Sequence, residues 1–421
     1  MRIPPARVRL SGAPVGRGAE PQGDDSGLRW YVMAGRRNPY RSLFSLPPDL
    51  HYLNCAYMAP ASKRVADAGH RALSFLEAPS RLQTADFFEP SARVRRLFAR
   101  LVKAPDADRV AIVPAVSYAM ATVARNTPLA PGQTVVVVEE QFPSAVYTWR
   151  RGCRETGAKL RTVAAPATAG SRGEAWNAAL LDAIDERTAA VVLPPLHWTD
   201  GLRFDLDAIG TRARAAGARF IVDGTQAVGA LPFDVTHTRP DALICAGYKW
   251  LTGPYAIGVA WYGPAFDGGT PLEENWITRR GSDRFNELVN YRDDYQPGAI
   301  RYDVGERSNF VLLPMLEAAL EQVLEWGPET VRTHTGALTR AAVERLRDLG
   351  CRVEDDRWRA GHLFGVRLPA GVDIPRLGRD LAARQVSVSL RGGAVRIAPH
   401  LYNDGGDLDA LIDVLSIAVR A

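Results

Sequence analysis

Two residues open the question of chemistry, a lysine and an aspartate. Lys249 lies in Cys245-Ala-Gly-Tyr248-Lys249-Trp250-Leu-Thr-Gly-Pro254, directly after the apolar run Ala242-Leu-Ile-Cys245. Upstream, Phe220-Ile-Val runs into Asp223-Gly-Thr-Gln226. Both runs read as strands, so an amine follows one strand and a carboxylate ends another. A pyridoxal phosphate enzyme needs that pair. The amine forms a Schiff base with the cofactor, and the carboxylate keeps the pyridine nitrogen protonated so that the ring accepts electrons from a carbanion. A solvated surface lysine is the alternative.

Other strand ends carry residues of interest. Ligands in open α/β sheets bind beyond the carboxyl ends of the strands, so these ends should converge. Val113-Pro-Ala-Val116-Ser117-Tyr118 reads as strand, turn and helix start. Ser117 is placed to cap that helix, and the N–H groups there suit a phosphate. Glu139-Glu-Gln-Phe142-Pro143-Ser144 offers an aromatic that either stacks on a pyridine ring or packs in the core. His197-Trp198-Thr199-Asp200-Gly201 follows another apolar run, and His197 and Trp198 either line a pocket or satisfy local hydrogen bonds. Arg396 sits inside the strand-like Val395-Arg-Ile397, where a charge needs a partner. A substrate carboxylate gripped by two N–H groups is one such partner, and an internal salt bridge is the other.

The elements that must position these residues follow from periodicity. From about residue 108, short β-branched runs alternate with amphipathic stretches. The runs are Val110–Val113, Thr134–Val138, Ala189–Leu193, Phe220–Val222, Ala242–Ile244 and Ile257–Trp261. They show almost no alternation of polar and apolar residues, as strands buried on both faces do, so a mostly parallel sheet covered by helices is expected. Helical patterns cover Ser144–Thr156 and Leu206–Ala216. After Asn309 the texture changes to long helices over Phe310–Trp326 and Glu329–Leu349. Short strands at Cys351–Val353, Leu363–Arg367, Val386–Ser389 and Val395–Ile397 then mix with helices Ile374–Ala383 and Asp407–Val419, a smaller α+β domain. The expected division is a tail over 1–46, a large domain over 47–305 and a small one over 306–421.

Composition excludes several classes. The chain has 421 residues, 46% of them hydrophobic and 24% charged, with a formal net charge of +5. That small surplus without a basic run fits solubility and anionic ligands, not nucleic acid. Its four cysteines, Cys55, Cys153, Cys245 and Cys351, form no CxxC and have no histidine at ligand spacing. Neither a metal site nor a disulfide framework is expected, and a cytoplasmic location is. No apolar stretch approaches the roughly 18 residues that span a membrane. The segment before Met33 is rich in Arg, Pro and Gly with no apolar core, so it reads as a disordered tail, a misassigned start or, less consistently with its acids, a transit peptide.

Taken together, residues 50 to 415 resemble the class V aminotransferase family of fold type I enzymes, which includes cysteine desulfurases, isopenicillin epimerases and kynureninases. The resemblance rests on Tyr52-Leu-Asn54-Cys-Ala-Tyr-Met-Ala-Pro60, Val222-Asp-Gly-Thr-Gln-Ala-Val-Gly229, Gly247-Tyr-Lys-Trp-Leu-Thr-Gly-Pro254, and Arg396 with Tyr402-Asn403. It implies a large domain with a mostly parallel seven-stranded sheet, pyridoxal 5'-phosphate as cofactor and a homodimer with its site at the subunit interface. By the same resemblance Lys249 is the Schiff-base lysine and Asp223 the partner of the pyridine nitrogen. Gln226 hydrogen-bonds the phenolic oxygen, Val116 and Ser117 hold the phosphate with the Tyr248 hydroxyl, and Phe142 stacks on the ring. Ser308 or Asn309 reaches the phosphate of the neighbouring subunit, and Arg396 binds the substrate carboxylate.

Departures from the family pattern bear on the reaction. Desulfurases usually carry a histidine where Phe142 stands, and they need a nucleophilic cysteine on a loop shortly before the arginine; 385–393 contains none. Trp198 stands where many relatives have asparagine, and Gln226 where kynureninases have histidine. The expected activity is amino-group transfer at Cα of a small amino acid. A carbon–sulfur lyase without persulfide chemistry and an epimerase share the first deprotonation, and a non-catalytic scaffold of the same fold is the reading from another class. Tyr57, Trp198 and Trp276 are candidate pocket aromatics.

Overall fold

The computed structural model describes residues 38–168, 171–391 and 394–420. Most of the expected tail, 1–37, and the glycine pair at 392–393 lie outside the described residues. Seven strands form one sheet: β1 Val110–Val113, β2 Thr134–Val138, β3 Lys159–Val163, β4 Thr188–Leu193, β5 Arg219–Asp223, β6 Ala242–Ala246 and β7 Gly258–Tyr262. Their spatial order is β1-β7-β6-β5-β4-β2-β3. β7 pairs antiparallel with both neighbours, and every other pairing is parallel. The mostly parallel seven-stranded sheet expected from the sequence is the one observed.

The missing alternation in the apolar runs has a direct cause. Val136 and Val138 of β2 enter a core with Phe98, Leu316 and Leu320, while Val135 and Val137 enter a second core with Met120 and Trp149. Successive residues of a strand point to opposite faces, and here helices cover both. β3 is the strand that sequence reading missed. It lies at one edge of the sheet, and its Lys159 and Arg161 interrupt any apolar run. Charged residues on an edge strand also oppose pairing with another chain.

The other edge, β1, is covered from within. Asp303 Oδ1 accepts the Ile112 N–H at 2.7 Å, Val304 N–H donates to the Ile112 carbonyl at 3.1 Å, and Arg95 Nε donates to the Val110 carbonyl at 2.9 Å. The other carboxylate oxygen of Asp303 accepts from Arg95 and from Arg307 Nη1, the latter at 2.6 Å. All three side chains are buried, so one carboxylate serves two guanidinium groups away from water.

The C-terminal part carries three antiparallel strands, β8 Phe364–Arg367, β9 Ser389–Arg391 and β10 Ala394–Ile397, in the order β9-β10-β8. Helices Pro328–Asp348, Ile374–Ala383 and Gly405–Arg420 pack with them around Leu346, Val366, Leu377, Val395 and Leu411. Two strand expectations need correction. The run Val386–Ser389 is split: Val386–Ser387 pair in parallel with His51–Tyr52, and Ser389 opens β9. At Cys351–Val353 only Arg352 finds a partner, bridging to Arg367, because the run is short and passes at once into Glu354-Asp355-Asp356. The segment after Tyr52 stays with this part of the molecule, with Leu53 in its core and the Ala398 N–H bonded to the Leu53 carbonyl at 2.8 Å.

Removing the acid beneath β1 leaves two buried guanidinium groups without a countercharge. Asp303→Ala is expected to cost about 3–5 kcal/mol of unfolding free energy. Urea denaturation monitored by circular dichroism measures this, and a loss below about 1 kcal/mol, as at an exposed pair, would contradict the reading.

Candidate active site

β5 and β6 are adjacent and parallel, with Asp223 opposite Ile244. Asp223 ends β5, and the chain leaving β6 reaches Lys249, so both lie at the same rim of the sheet. They line a cavity of about 370 Å³, together with Val116, Ser117, Phe142, Trp198, Gln226 and Tyr248. The sheet therefore gathers at one place most of the residues the sequence singled out.

Lys249 is only 6% exposed. Burial pushes its ammonium down to about 8; Asp223 opposes the shift, and the Arg396 and Arg391 charges add to it. Its Nζ lies 5.4 Å from the centre of the Phe142 ring and 5.6 Å from that of Tyr248. An amine in this state is partly neutral near physiological pH and can act as nucleophile or base. Burial raises the Asp223 carboxyl, while its bonds to Thr225, one from the N–H to Oδ1 at 3.1 Å, and the Lys249 charge hold it down.

The backbone under the lysine is closely packed. Gly229 has φ +101°, and a Cβ there would lie 2.2 Å from the Trp250 carbonyl oxygen, so both conformation and space require glycine. Thr252 N–H bonds the Lys249 carbonyl at 2.9 Å, Gly253 N–H the Gly247 carbonyl at 2.8 Å, and Gly247 N–H the Ile257 carbonyl at 3.0 Å. Thr252 and Ala256 adopt φ of 53° and 63°, left-handed values that a β-branched residue rarely holds. This turn holds strained backbone next to the reactive amine.

The helix Val116–Arg125 begins at the cavity. Its N-cap is Ala115, which has no side chain to cap it, and Ser117 lies inside the first turn. The expectation that Ser117 caps the helix is corrected: the chain leaves that cap unfilled. Uncapped N–H groups and the helix dipole make a site for an anion, with the Ser117 hydroxyl alongside.

Phe142 and Trp198 meet edge to face, ring centres 5.4 Å apart, and the Trp198 indole N–H donates to the Glu140 carbonyl at 2.6 Å. Arg396, 2% exposed, donates from Nη1 to the Trp198 carbonyl at 2.8 Å and from Nη2 to Ser389 Oγ at 3.2 Å. Ser389 Oγ in turn donates to Asn54 Oδ1 at 2.8 Å. No acid pairs with Arg396 among the described residues, and its Nε has no partner. The internal salt bridge left open by the sequence is therefore absent there. Burial first, then the charge of Arg391, lowers the guanidinium to about 10.

Other residues fall elsewhere. His197 is fully buried, its Nδ1 2.7 Å from Thr199 Oγ1 and its Nε2 3.0 Å from the Glu139 carbonyl. Both ring nitrogens are occupied and it does not line the cavity, which corrects its assignment to substrate. Ser308 and Asn309 border a separate cavity of about 400 Å³. Ser308 Oγ donates to the Phe87 carbonyl at 2.5 Å, and Asn309 Oδ1 accepts the N–H groups of Val311 and Leu312, so each serves its own chain. Trp276 packs on Phe87, Phe88 and Phe285, and Tyr57 is exposed. Neither lines the cavity.

Sequence reading missed three contributors. Arg391, its guanidinium 5.8 Å from the Trp198 ring centre, brings a second cation near that of Arg396 at 6.0 Å. The alternation Ser389, Arg391 on β9, with Ser389 opposite Arg396, was the available signal. Gln141 lines the cavity with a buried Nε2 that has no partner. Thr225 links the strand ends by accepting the Ala246 N–H at 3.2 Å.

The class-V aminotransferase family matches residues 66–401. The chain is similar to isopenicillin N epimerase of Streptomyces clavuligerus, 26% identical over 333 residues, 77% of this chain and 83% of that one. It is also similar to a cysteine desulfurase of Pectobacterium atrosepticum, 26% identical over 264 residues, 60% of each. Among solved structures, the cysteine desulfurase CsdA of Escherichia coli superposes with a TM-score of 0.76 at 20% identity, covering 90% of this chain and 98% of that one.

The electrostatics of Lys249 can be read directly. Asp223→Asn removes the charge that favours the ammonium and should move its titration below about 8; Arg396→Gln should move it upward. The rate at which a small acylating reagent labels Lys249, followed by mass spectrometry across pH, should then change by roughly 3- to 10-fold at pH 7, in opposite directions for the two variants. Parallel shifts would contradict the charge arrangement.

Proposed function

Because the chain belongs to the class V aminotransferase family, whose cofactor is pyridoxal 5'-phosphate, we propose that it removes the Cα proton of a small α-amino acid and transfers the amino group. The observation that carries this reading is the single amine of the cavity. Lys249 lines it, and no histidine or cysteine among the described residues does.

The side chains present fit the cofactor. The uncapped helix start at Val116, with the Ser117 hydroxyl, would take the phosphate. Asp223 would face the pyridine nitrogen, Phe142 would cover the ring, and Gln226 would meet its phenolic oxygen. When bound, the cofactor supplies an electron sink that makes a Cα proton acidic. Lys249 Nζ, neutral in part near pH 8, is the group that accepts that proton. Arg396 does not itself line the cavity but bonds the Trp198 carbonyl at its wall, and, with no acid among the described residues, it would orient a substrate carboxylate there, Arg391 adding a second positive charge beside it.

One base on one face suffices for amino transfer, whereas inversion at Cα needs a second proton donor on the opposite face. Tyr248 and Tyr255 also line the cavity, and the relative named isopenicillin N epimerase makes epimerisation the second reading. Persulfide chemistry is disfavoured: all four cysteines are free and buried, and burial raises each thiol above its ordinary range.

The test is the purified protein with pyridoxal 5'-phosphate, a panel of L-amino acids and a keto-acid acceptor. Amino transfer yields a new amino acid and a new keto acid, and Lys249→Ala should lower turnover by about 10²–10⁴ and abolish borohydride trapping of the cofactor. Loss of optical rotation without transfer would replace this reading with epimerisation, and release of sulfide and pyruvate would replace it with a lyase.

A further inference from the structure

Gln226 sits 3% exposed at the cavity wall, and its carboxamide is held by two neighbours of fixed character. The Trp250 indole N–H donates to Oε1 at 2.9 Å. The Gln226 Nε2 donates to the Ala56 carbonyl at 3.2 Å. An indole nitrogen only donates and a carbonyl only accepts. Rotating the amide by half a turn would set donor against donor and acceptor against acceptor, so the two contacts together admit one orientation. The backbone of Gln226 is fixed as well, its carbonyl accepting from His362 Nε2 at 2.9 Å. Trp250 is itself fully buried, edge-on to His362 at 4.5 Å and stacked on His400 at 5.9 Å.

We propose that Trp250 is a positioning residue which, with the Ala56 carbonyl, locks the Gln226 amide so that its remaining N–H serves as a hydrogen-bond donor to the ring oxygen of the cofactor, making the site selective for a pyridoxal ring that carries that oxygen. This rests on the cofactor assignment above. Trp250 does not line the cavity, so it acts through the carboxamide alone. The residue next to the reactive lysine therefore fixes a group on the opposite loop, so the loops of Asp223 and Lys249 are joined by a side-chain hydrogen bond as well as by backbone packing at Gly229.

Two ligands separate this role from a purely structural one: pyridoxal 5'-phosphate and 3-deoxypyridoxal 5'-phosphate, which lacks the ring oxygen. Their dissociation constants, from absorbance titration, are to be measured for the unaltered protein and for Trp250→Phe. The expected result is roughly a tenfold weakening for pyridoxal 5'-phosphate and less than a twofold change for the 3-deoxy compound, because the lost bond acts only through the oxygen. Equal weakening of both ligands, or of neither, overturns the proposal. Should Trp250→Phe fail to fold by circular dichroism, β-(3-benzothienyl)alanine placed at position 250 keeps the ring shape while replacing the N–H by sulfur, and the same pair of outcomes decides. Failure of the unaltered protein to bind pyridoxal 5'-phosphate overturns the cofactor assignment and this proposal together. Tight binding of both ligands with no discrimination overturns this proposal alone.

Discussion

Keeping a lysine and an aspartate together in a place with little water is the constraint around which this molecule is arranged. Desolvation disfavours the charged form of each, while their attraction favours both. Two adjacent parallel strands solve the placement, since parallel neighbours send their carboxyl ends to the same rim. The antiparallel β7 then returns the chain past the lysine turn and closes the sheet against β1. Further cations, Arg391 and Arg396, tilt the balance and leave the Lys249 ammonium less stable than Asp223 alone would.

The rest of the cavity is defined by hydrogen-bonding capacity left unused. A helix begins without a cap, and the Gln141 amide nitrogen has no acceptor. In a folded interior such groups are ordinarily satisfied. The helix start and Gln141 line a cavity that also holds an amine of lowered basicity, whereas at the cavity beside Ser308 the Ser308 and Asn309 side chains bond to backbone groups.

Much of this was legible in the sequence, for identifiable reasons. The inner strands could be read because both faces are buried, so their residues are apolar without interruption. Lys249 and Asp223 could be read because each follows such a run, and Arg396 because a charge inside a strand is costly unless matched. The edge strand Lys159–Val163 was hidden because an edge tolerates charge. The roles of Ser117 and His197 turned on a one- or two-residue difference in where a helix starts and on which neighbours close around a ring, neither of which periodicity encodes. The orientation of Gln226 depends on Ala56 and Trp250, which are remote in the chain or distinguishable only once the loops meet. Arg391 needed the β9–β10 register before it could be placed beside Arg396.

The Asn54–Ser389 hydrogen bond, which supports Arg396, joins residues 335 positions apart. The pairing of His51–Tyr52 with Val386–Ser387 spans a similar stretch. During synthesis the sheet that carries Asp223 and Lys249 leaves the ribosome well before these partners exist. The early segment at 51–59 places Leu53 in a core whose other buried members all come from Leu338 onward. Arg396, which bonds the Trp198 carbonyl at the cavity wall, arrives only when the last strands emerge. A chain cut short before residue 386 carries the strands of Asp223 and Lys249 and lacks both Arg391 and Arg396.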